Sequence, residues 1–169
     1  MALSMYQASV PVFVKTLGNL AAILDKAASF AAAKKVDQSV LLGFRLAPDM
    51  LNFARQVQIA TDHAKGAPAR LAGMEPPSYE NTEASFAELK ARIDKVIAFL
   101  GTLKPAQVDG SEEREVTFKA GGGNTLTYKG QPYLLHYALP NFFFHVTTAY
   151  DILRHCGADV GKKDYIGQV

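Results

Sequence analysis

Early in the chain the apolar residues Val10, Phe13, Val14, Leu17, Leu20, Ala21 and Leu24 recur at three- and four-residue steps. Such steps return to one face of a 3.6-residue turn, so the pattern predicts a helix from Val10 to about Ala33, with alanines adding intrinsic preference toward its end. Ser9 is placed to cap it and Pro11 sits in the first turn; a start nearer Ser4 would make Pro11 a kink. Lys34 and Lys35 stand where positive charge favours a helix end. A connecting segment is expected from Val36 to Ala47. A second helix is then expected to open near Pro48, with Asp49 set against its dipole.

In that second helix Met50, Phe53, Val57, Ala60, Ala64, Ala67 and Leu71 form an apolar seam. Steps alternating between three and four suit packing nearly antiparallel on a neighbour. Gly66 and Pro68 predict a kink or an early stop, Gly73 marks the latest end, and Pro76-Pro77 forbid a return. A third helix, from about Thr82 to Leu103, repeats the seam with Phe86, Leu89, Ile93, Val96, Leu100 and Leu103. Two seams of one style predict a shared core.

Between Glu115 and Tyr128 the period falls to two, with Val116 and Phe118, then Leu126 and Tyr128, alternating with polar neighbours. Gly121-Gly122-Gly123-Asn124 supplies a turn, so a β-hairpin is expected. The glycines are no phosphate loop, because no Gly-Lys-Ser/Thr follows. A last helix is expected from about Gln131 to Cys156, with Leu139, Phe142, Val146, Ala149 and Leu153 inward and Gly157 as its stop. The fold expected is all-α: a four-helix bundle with a small hairpin inserted before its last helix, as one domain over residues 1–169.

Composition narrows the function classes. The chain has 169 residues, 49% of them hydrophobic and 20% charged, as in an ordinary globular domain. A formal net charge of +2 with no long basic run argues against nucleic acid. No apolar stretch approaches the roughly 18 residues of a membrane span, and the segment Met1 to Tyr6 lacks the positive charge of a leader. The single Cys156 gives no internal disulfide and suits a reducing compartment, so a soluble cytoplasmic protein is expected. As a nucleophile Cys156 has no activating environment that can be read around it.

The chemistry is concentrated in two rows. Asp49, Gln56 and His63 are seven apart and form a polar stripe beside the seam of the second helix; Asn141, His145 and Thr148 flank the seam of the last. If the rows face each other, His63 and His145 approach, and neutral imidazoles suit zinc, nickel or iron. Each residue also has a plain structural reading. His145 could be a satisfied core histidine, His63 a seam-edge surface residue, and Asn141 a repair of the helix that Pro140 interrupts. His136 is about half a revolution from His145 on a continuous helix. His155 lies where it meets the helix dipole. Asp151 and Arg154 are spaced for a local ion pair, and Lys162-Lys163-Asp164 reads as solvated tail. Within Phe142-Phe143-Phe144 at least one ring must face away from the bundle centre, toward the hairpin or a dimer surface.

The run Pro-Asn-Phe-Phe-Phe-His-Val-Thr-Thr-Ala-Tyr-Asp-Ile-Leu-Arg, the earlier Ala47-Pro48-Asp49-Met50 and the element order resemble a known family. From Tyr6 to Asp164 the chain is similar to an uncharacterised bacterial domain family of the DUF1993 type, within the DinB/YfiT-like superfamily of proposed metalloenzymes. The resemblance implies an up-down-down-up bundle, often dimeric, in which three histidines hold a divalent metal, one from the second helix and two, four residues apart, from the last. Some members of that superfamily transfer low-molecular-weight thiols; others act as metal-dependent hydrolases or isomerases. In this chain His145 matches the second histidine of the terminal pair and Asn141 stands at the first. In the second-helix region, which holds Gln56, Gln58 and His63, only His63 is an imidazole. The resemblance thus implies His63 and His145 as ligands for zinc or nickel, Gln56 and Asn141 beside a small-molecule ligand, and a homodimer. The alternative is a non-catalytic bundle, with a binding or stress-related role, whose ancestral metal site has decayed.

Overall fold

The structure, a computed structural model, describes residues 3–168. Met1 and Ala2, at the start of the segment read as uncharged and leaderless, and Val169, the last residue of the expected domain, lie outside the described residues. The first helix, α1, spans Val10–Lys34, with Pro11 in its first turn and a left-handed Lys35 closing it. Ser9 precedes it, but its hydroxyl donates to the Met5 carbonyl at 2.6 Å instead of capping a helix N–H. The expected connecting segment contains a short helix, α2 (Gln38–Gly43), capped by Asp37.

The second long helix, α3 (Phe53–Leu71), starts five residues later than Pro48. Met50 N–H closes a turn on the Ala47 carbonyl, and Asn52, accepting from Arg55 N–H at 3.0 Å, is the cap that begins the helix. A side-chain cap at Asn52 outweighs the proline signal upstream. Neither Gly66 nor Pro68 ends α3, whose residues from Ala64 to Ala69 are all buried. Gly73 follows with φ +72°, as its role as terminator requires.

Helix α4 (Phe86–Thr102) is capped by Ser85, and a short α5 (Pro105–Val108) leads to the hairpin. Strands β1 (Glu115–Lys119) and β2 (Thr125–Lys129) pair antiparallel, with Val116 opposite Tyr128 and Phe118 opposite Leu126, around a turn at Gly121–Gly123. The last long helix runs through three registers: α6 (Gly130–Pro132), a π-helical stretch Tyr133–Ala138, and α7 (Leu139–His155). In the π stretch Leu139 N–H reaches back five residues to the Leu134 carbonyl, just before Pro140, which has no N–H to give. The wider register lets the helix pass the proline ring without breaking.

Helix α3 packs mainly on α7 and also on α4, while α1 packs mainly on α4. One apolar core runs through all four long helices, from Met5 to Val160, with Phe13 edge-on to Phe142 at 4.8 Å near its middle. The seam residues of the sequence are its members, apart from the partly buried Met50 and Leu139 and the margin residue Val14. The tail forms a short helix, α8 (Lys162–Ile166): Lys162 and Lys163 are exposed as expected, while Asp164 pairs with Lys26 at 2.8 Å and Tyr165 meets Asn19 and Thr147.

Candidate functional site

Because α3 and α7 lie side by side, the two polar rows meet. Gln56 and His63 are two turns apart on α3, roughly 10 Å along its axis, and His145 of α7 reaches both. Gln56 Oε1 lies 2.6 Å from His145 Nδ1, and Gln56 Nε2 donates to the Leu51 carbonyl at 3.1 Å. Since that carbonyl can only accept, the Gln56 oxygen is the acceptor on the other side, and Nδ1 of His145 carries the proton. A neutral His145 then has its lone pair on Nε2.

The His63 ring lies 6.0 Å from the His145 ring, centroid to centroid and 17° from parallel, and 5.8 Å from the Tyr137 ring. Burial pushes the His63 pKa down to about 4, helped by the neighbouring His145, Arg70 and Lys65 and opposed by Asp62. His145, 9% exposed, is pushed down by burial and then by Arg55. Both rings are therefore neutral at pH 7. Apart from the Gln56 contact, no ring nitrogen of either histidine has a hydrogen-bond partner among the described residues, and the free nitrogens are open to solvent.

Other residues from the rows go elsewhere. Asn141 Nδ2 donates to the Tyr137 carbonyl at 2.7 Å, which turns its amide to the helix backbone. Thr148 does the same with the Phe144 carbonyl at 2.8 Å. Asp49 is exposed in the turn before α3, and His136 is exposed on the π stretch. The His155 ring sits 5.6 Å from that of Phe44. Arg154 donates to the Val160 carbonyl at 3.1 Å and makes no ion pair with Asp151. Burial pushes the Cys156 thiol up, away from nucleophilic use. Of the three phenylalanines Phe142 is fully buried, Phe143 partly, and Phe144 is 56% exposed.

His63 also forms part of the wall of a cleft of about 310 Å³ between α3, the π stretch and the hairpin, lined as well by Asp62, Arg70, Phe118, Lys119 and Tyr137. The hairpin forms one side of it through Phe118, whose ring is 4.9 Å from that of Tyr137. The π register matters here: it sets Tyr133 and Tyr137 as a parallel pair, 6.0 Å and 18° apart, on the cleft side of the helix.

A three-histidine metal centre does not fit these residues. Among the described residues no three His, Cys, Asp or Glu side chains gather as a ligand set. With the Asn141 amide on a backbone carbonyl, two imidazoles are what the site offers. Two bonds fall short of the three protein ligands typical of catalytic zinc and the four of structural zinc.

The sequence model of a domain family described as "Domain of unknown function (DUF1993)" matches residues 5–166. The chain belongs to this family. A crystal structure of a DinB family member protein from Shewanella denitrificans is 43% identical to this DUF1993 chain, with a TM-score of 0.88 over 97% of this chain and 92% of that one. The DUF1993 fold is thus that of a DinB family member, with the hairpin included in the matched region. No curated protein matches the chain.

Sequence reasoning passed over Tyr137, Arg70 and Asp62. For Tyr137 and Arg70 a spacing marks the neighbourhood without revealing the cleft; Asp62 has no such signal. Tyr133 and Tyr137 are four apart just before a helix-interior proline, and Arg70 follows Gly66, a glycine inside a helical seam, by one turn.

Proposed function

We propose that this DUF1993 protein binds a small molecule in the cleft beside the His63–His145 pair, with the two neutral imidazoles accepting hydrogen bonds from its hydroxyl, thiol or bound water. The observation that carries the reading is the juxtaposition itself: rings from two helices 6.0 Å apart, one of them in the wall of a cleft, with His145 Nε2 and the His63 nitrogens unbonded among the described residues. Polar groups without a protein partner that line an accessible cleft are free to bond a molecule that enters it. Gln56 holds His145 in one tautomer, which fixes where its lone pair points.

A second reading, a divalent metal such as zinc or nickel held through His63 and His145, is favoured by the free Nε2 of His145 and the low proton affinity of both rings. With two protein ligands the ion would bind weakly. The homodimer and the cytoplasmic setting belong to the same proposal, the first by likeness to the superfamily and the second from the single cysteine.

Elemental analysis of protein purified without a histidine tag, followed by zinc and nickel titration, separates these readings. For a small-molecule site the expected result is substoichiometric metal and weak titration. Stoichiometric metal that disappears in His145→Ala would establish the metal reading instead. If no metal and no small molecule perturbs the ring C–H resonances of either histidine, the pair is a polar core of the non-catalytic alternative.

A further inference from the structure

The cleft beside His63 contains a cation with no carboxylate to neutralise it. Arg70, in the last turn of α3, donates through Nη1 to the Tyr133 hydroxyl at 3.1 Å and lies over the Phe118 ring, 5.1 Å from its centroid. Among the described residues no acidic side chain is within ion-pair distance of it. The acidic residue of the cleft, Asp62, is already held by Lys65 at 2.8 Å and Arg92 at 2.9 Å. Lys119, at the end of β1, adds a second positive charge to the lining. A guanidinium has five N–H donors, and Tyr133 takes one.

Gly66 explains how the guanidinium comes to lie there. A Cβ at this position would sit 2.6 Å from Arg70 Nη1, so the missing side chain leaves the space that the guanidinium occupies one turn back along α3. Glycine inside a helix costs about 1 kcal/mol relative to alanine. Its presence in a buried stretch is accounted for by the room it gives Arg70.

We propose that the cleft takes a small organic carboxylate, its anion on Arg70 and its carbon skeleton against Tyr137 and Phe118, with its far end toward His63. The proposal rests on the reading of the cleft as a ligand site and adds the class of ligand. A planar guanidinium fork matches a carboxylate in two parallel hydrogen bonds. Two uncompensated positive charges repel a cationic ligand from the same aromatic wall. The volume of about 310 Å³ suits a small molecule and no polymer. Phosphate shares the oxyanion chemistry, and the experiment separates it from a carboxylate.

The test is calorimetry, together with the His63 ring C–H resonances, for formate, benzoate and phenylacetate, with benzamide as the uncharged match and inorganic phosphate as the rival oxyanion. Benzoate or phenylacetate is expected to shift His63 and to bind at least tenfold more tightly than benzamide. Gly66→Ala keeps the charge and the helix but pushes the guanidinium aside, so it should weaken the carboxylate at least tenfold while the thermal midpoint holds or rises. Arg70→Lys should weaken it similarly, since an ammonium lacks the fork. Equal binding of benzoate and benzamide, unaffected by Gly66→Ala, would overturn the carboxylate assignment and leave the small-molecule reading standing. Phosphate binding without any carboxylate binding also overturns the assignment. If none of the carboxylates moves the His63 resonances the assignment fails as well, and the cleft's role then rests on the metal titration alone.

Discussion

Asp62 and His63 are consecutive on α3 and both line the cleft, yet Asp62 also belongs to a second polar region of opposite character. On the Asp62 side Arg92, 4% exposed, directs Nε to Thr61 at 2.7 Å, Nη1 to the Glu80 carbonyl at 2.7 Å and to Glu83 at 2.9 Å, and Nη2 to Asp62 at 2.9 Å. Gln58 adds a bond to Glu83 at 2.8 Å, and Arg55 one to Gln58 at 2.8 Å. Together these bonds fasten the extended segment between α3 and α4 onto both helices. On the His63 side its ring nitrogens, most of the Arg70 donors and His145 Nε2 have no partner among the described residues. The same helix thus carries a region in which polar groups answer one another and a region in which they await something else. The first is architecture, because a completed network rigidifies the fold. The second is where chemistry can occur.

Breaking the completed side should have the larger effect. Arg92→Met leaves Glu83 without its cation and Asp62 with Lys65 alone, and losing one partner of such a partly buried network costs about 3 kcal/mol, the low end of the range for buried pairs. Denaturant unfolding should register that loss, while the affinity of the cleft for a carboxylate stays within about twofold of wild type. An equal loss of affinity would show that the two regions are coupled and that the contrast is false.

Acid sharpens the contrast by separating the regions in pH. His63 has a folded pKa of about 4 against an ordinary 6.5, so between these values the unfolded chain binds a proton that the folded chain refuses. Stability therefore falls as pH drops through that window, is unaffected above it, and loses nothing further from this group below it. The full drop is at most about 3 kcal/mol, less whatever solvent screens at this partly buried ring. Burial pushes Glu83 up, but its bonds to Arg92 and Gln58 outweigh that and hold its carboxyl below the usual 4.5. Its contribution is present above pH 4.5 and is lost only at lower pH. Unfolding measured from pH 8 to pH 4 should show the early slope, and His63→Gln should reduce it to the share that His145, also pushed down by burial, contributes. A slope unchanged in that variant would place the titration elsewhere.

Much of the fold was legible because helix seams and strand alternation are local patterns. The α1, α3 and α4 seams and the presence of the hairpin all follow from spacing. What escaped depended on competition between local signals or on distant partners. Asn52 won over Pro48 as the start of α3 because a side-chain cap satisfies a helix N–H and an upstream proline does not. The π stretch was invisible because its cause, Pro140, lies after it. The meeting of His63 with His145 was legible as a possibility, since both rows flank their seams, but its distance depended on how α3 and α7 slide past each other. Arg70 was not legible as a cleft residue: its position depends on the hairpin folding back and on a glycine whose meaning appears only when the guanidinium is seen above it.

The smallest expected effect concerns Asn141, which stands where the family resemblance would put a ligand. Its amide nitrogen donates to the Tyr137 carbonyl at 2.7 Å, in the turn that joins the π stretch to α7. Tyr137 in turn lies against His63 and Phe118, so Asn141 acts on the cleft wall only through the backbone that carries Tyr137. Asn141→Ala removes one partly exposed hydrogen bond and should cost about 0.5–1.5 kcal/mol. Carboxylate affinity and the titration of His63 should stay as in wild type, because the helix neighbours still hold the Tyr137 ring in place. A tenfold loss of ligand or metal binding in this variant, with stability unchanged, would mean that Asn141 reaches the bound molecule. The unsatisfied region would then extend one turn further along α7, and the boundary between architecture and chemistry would have to be redrawn there.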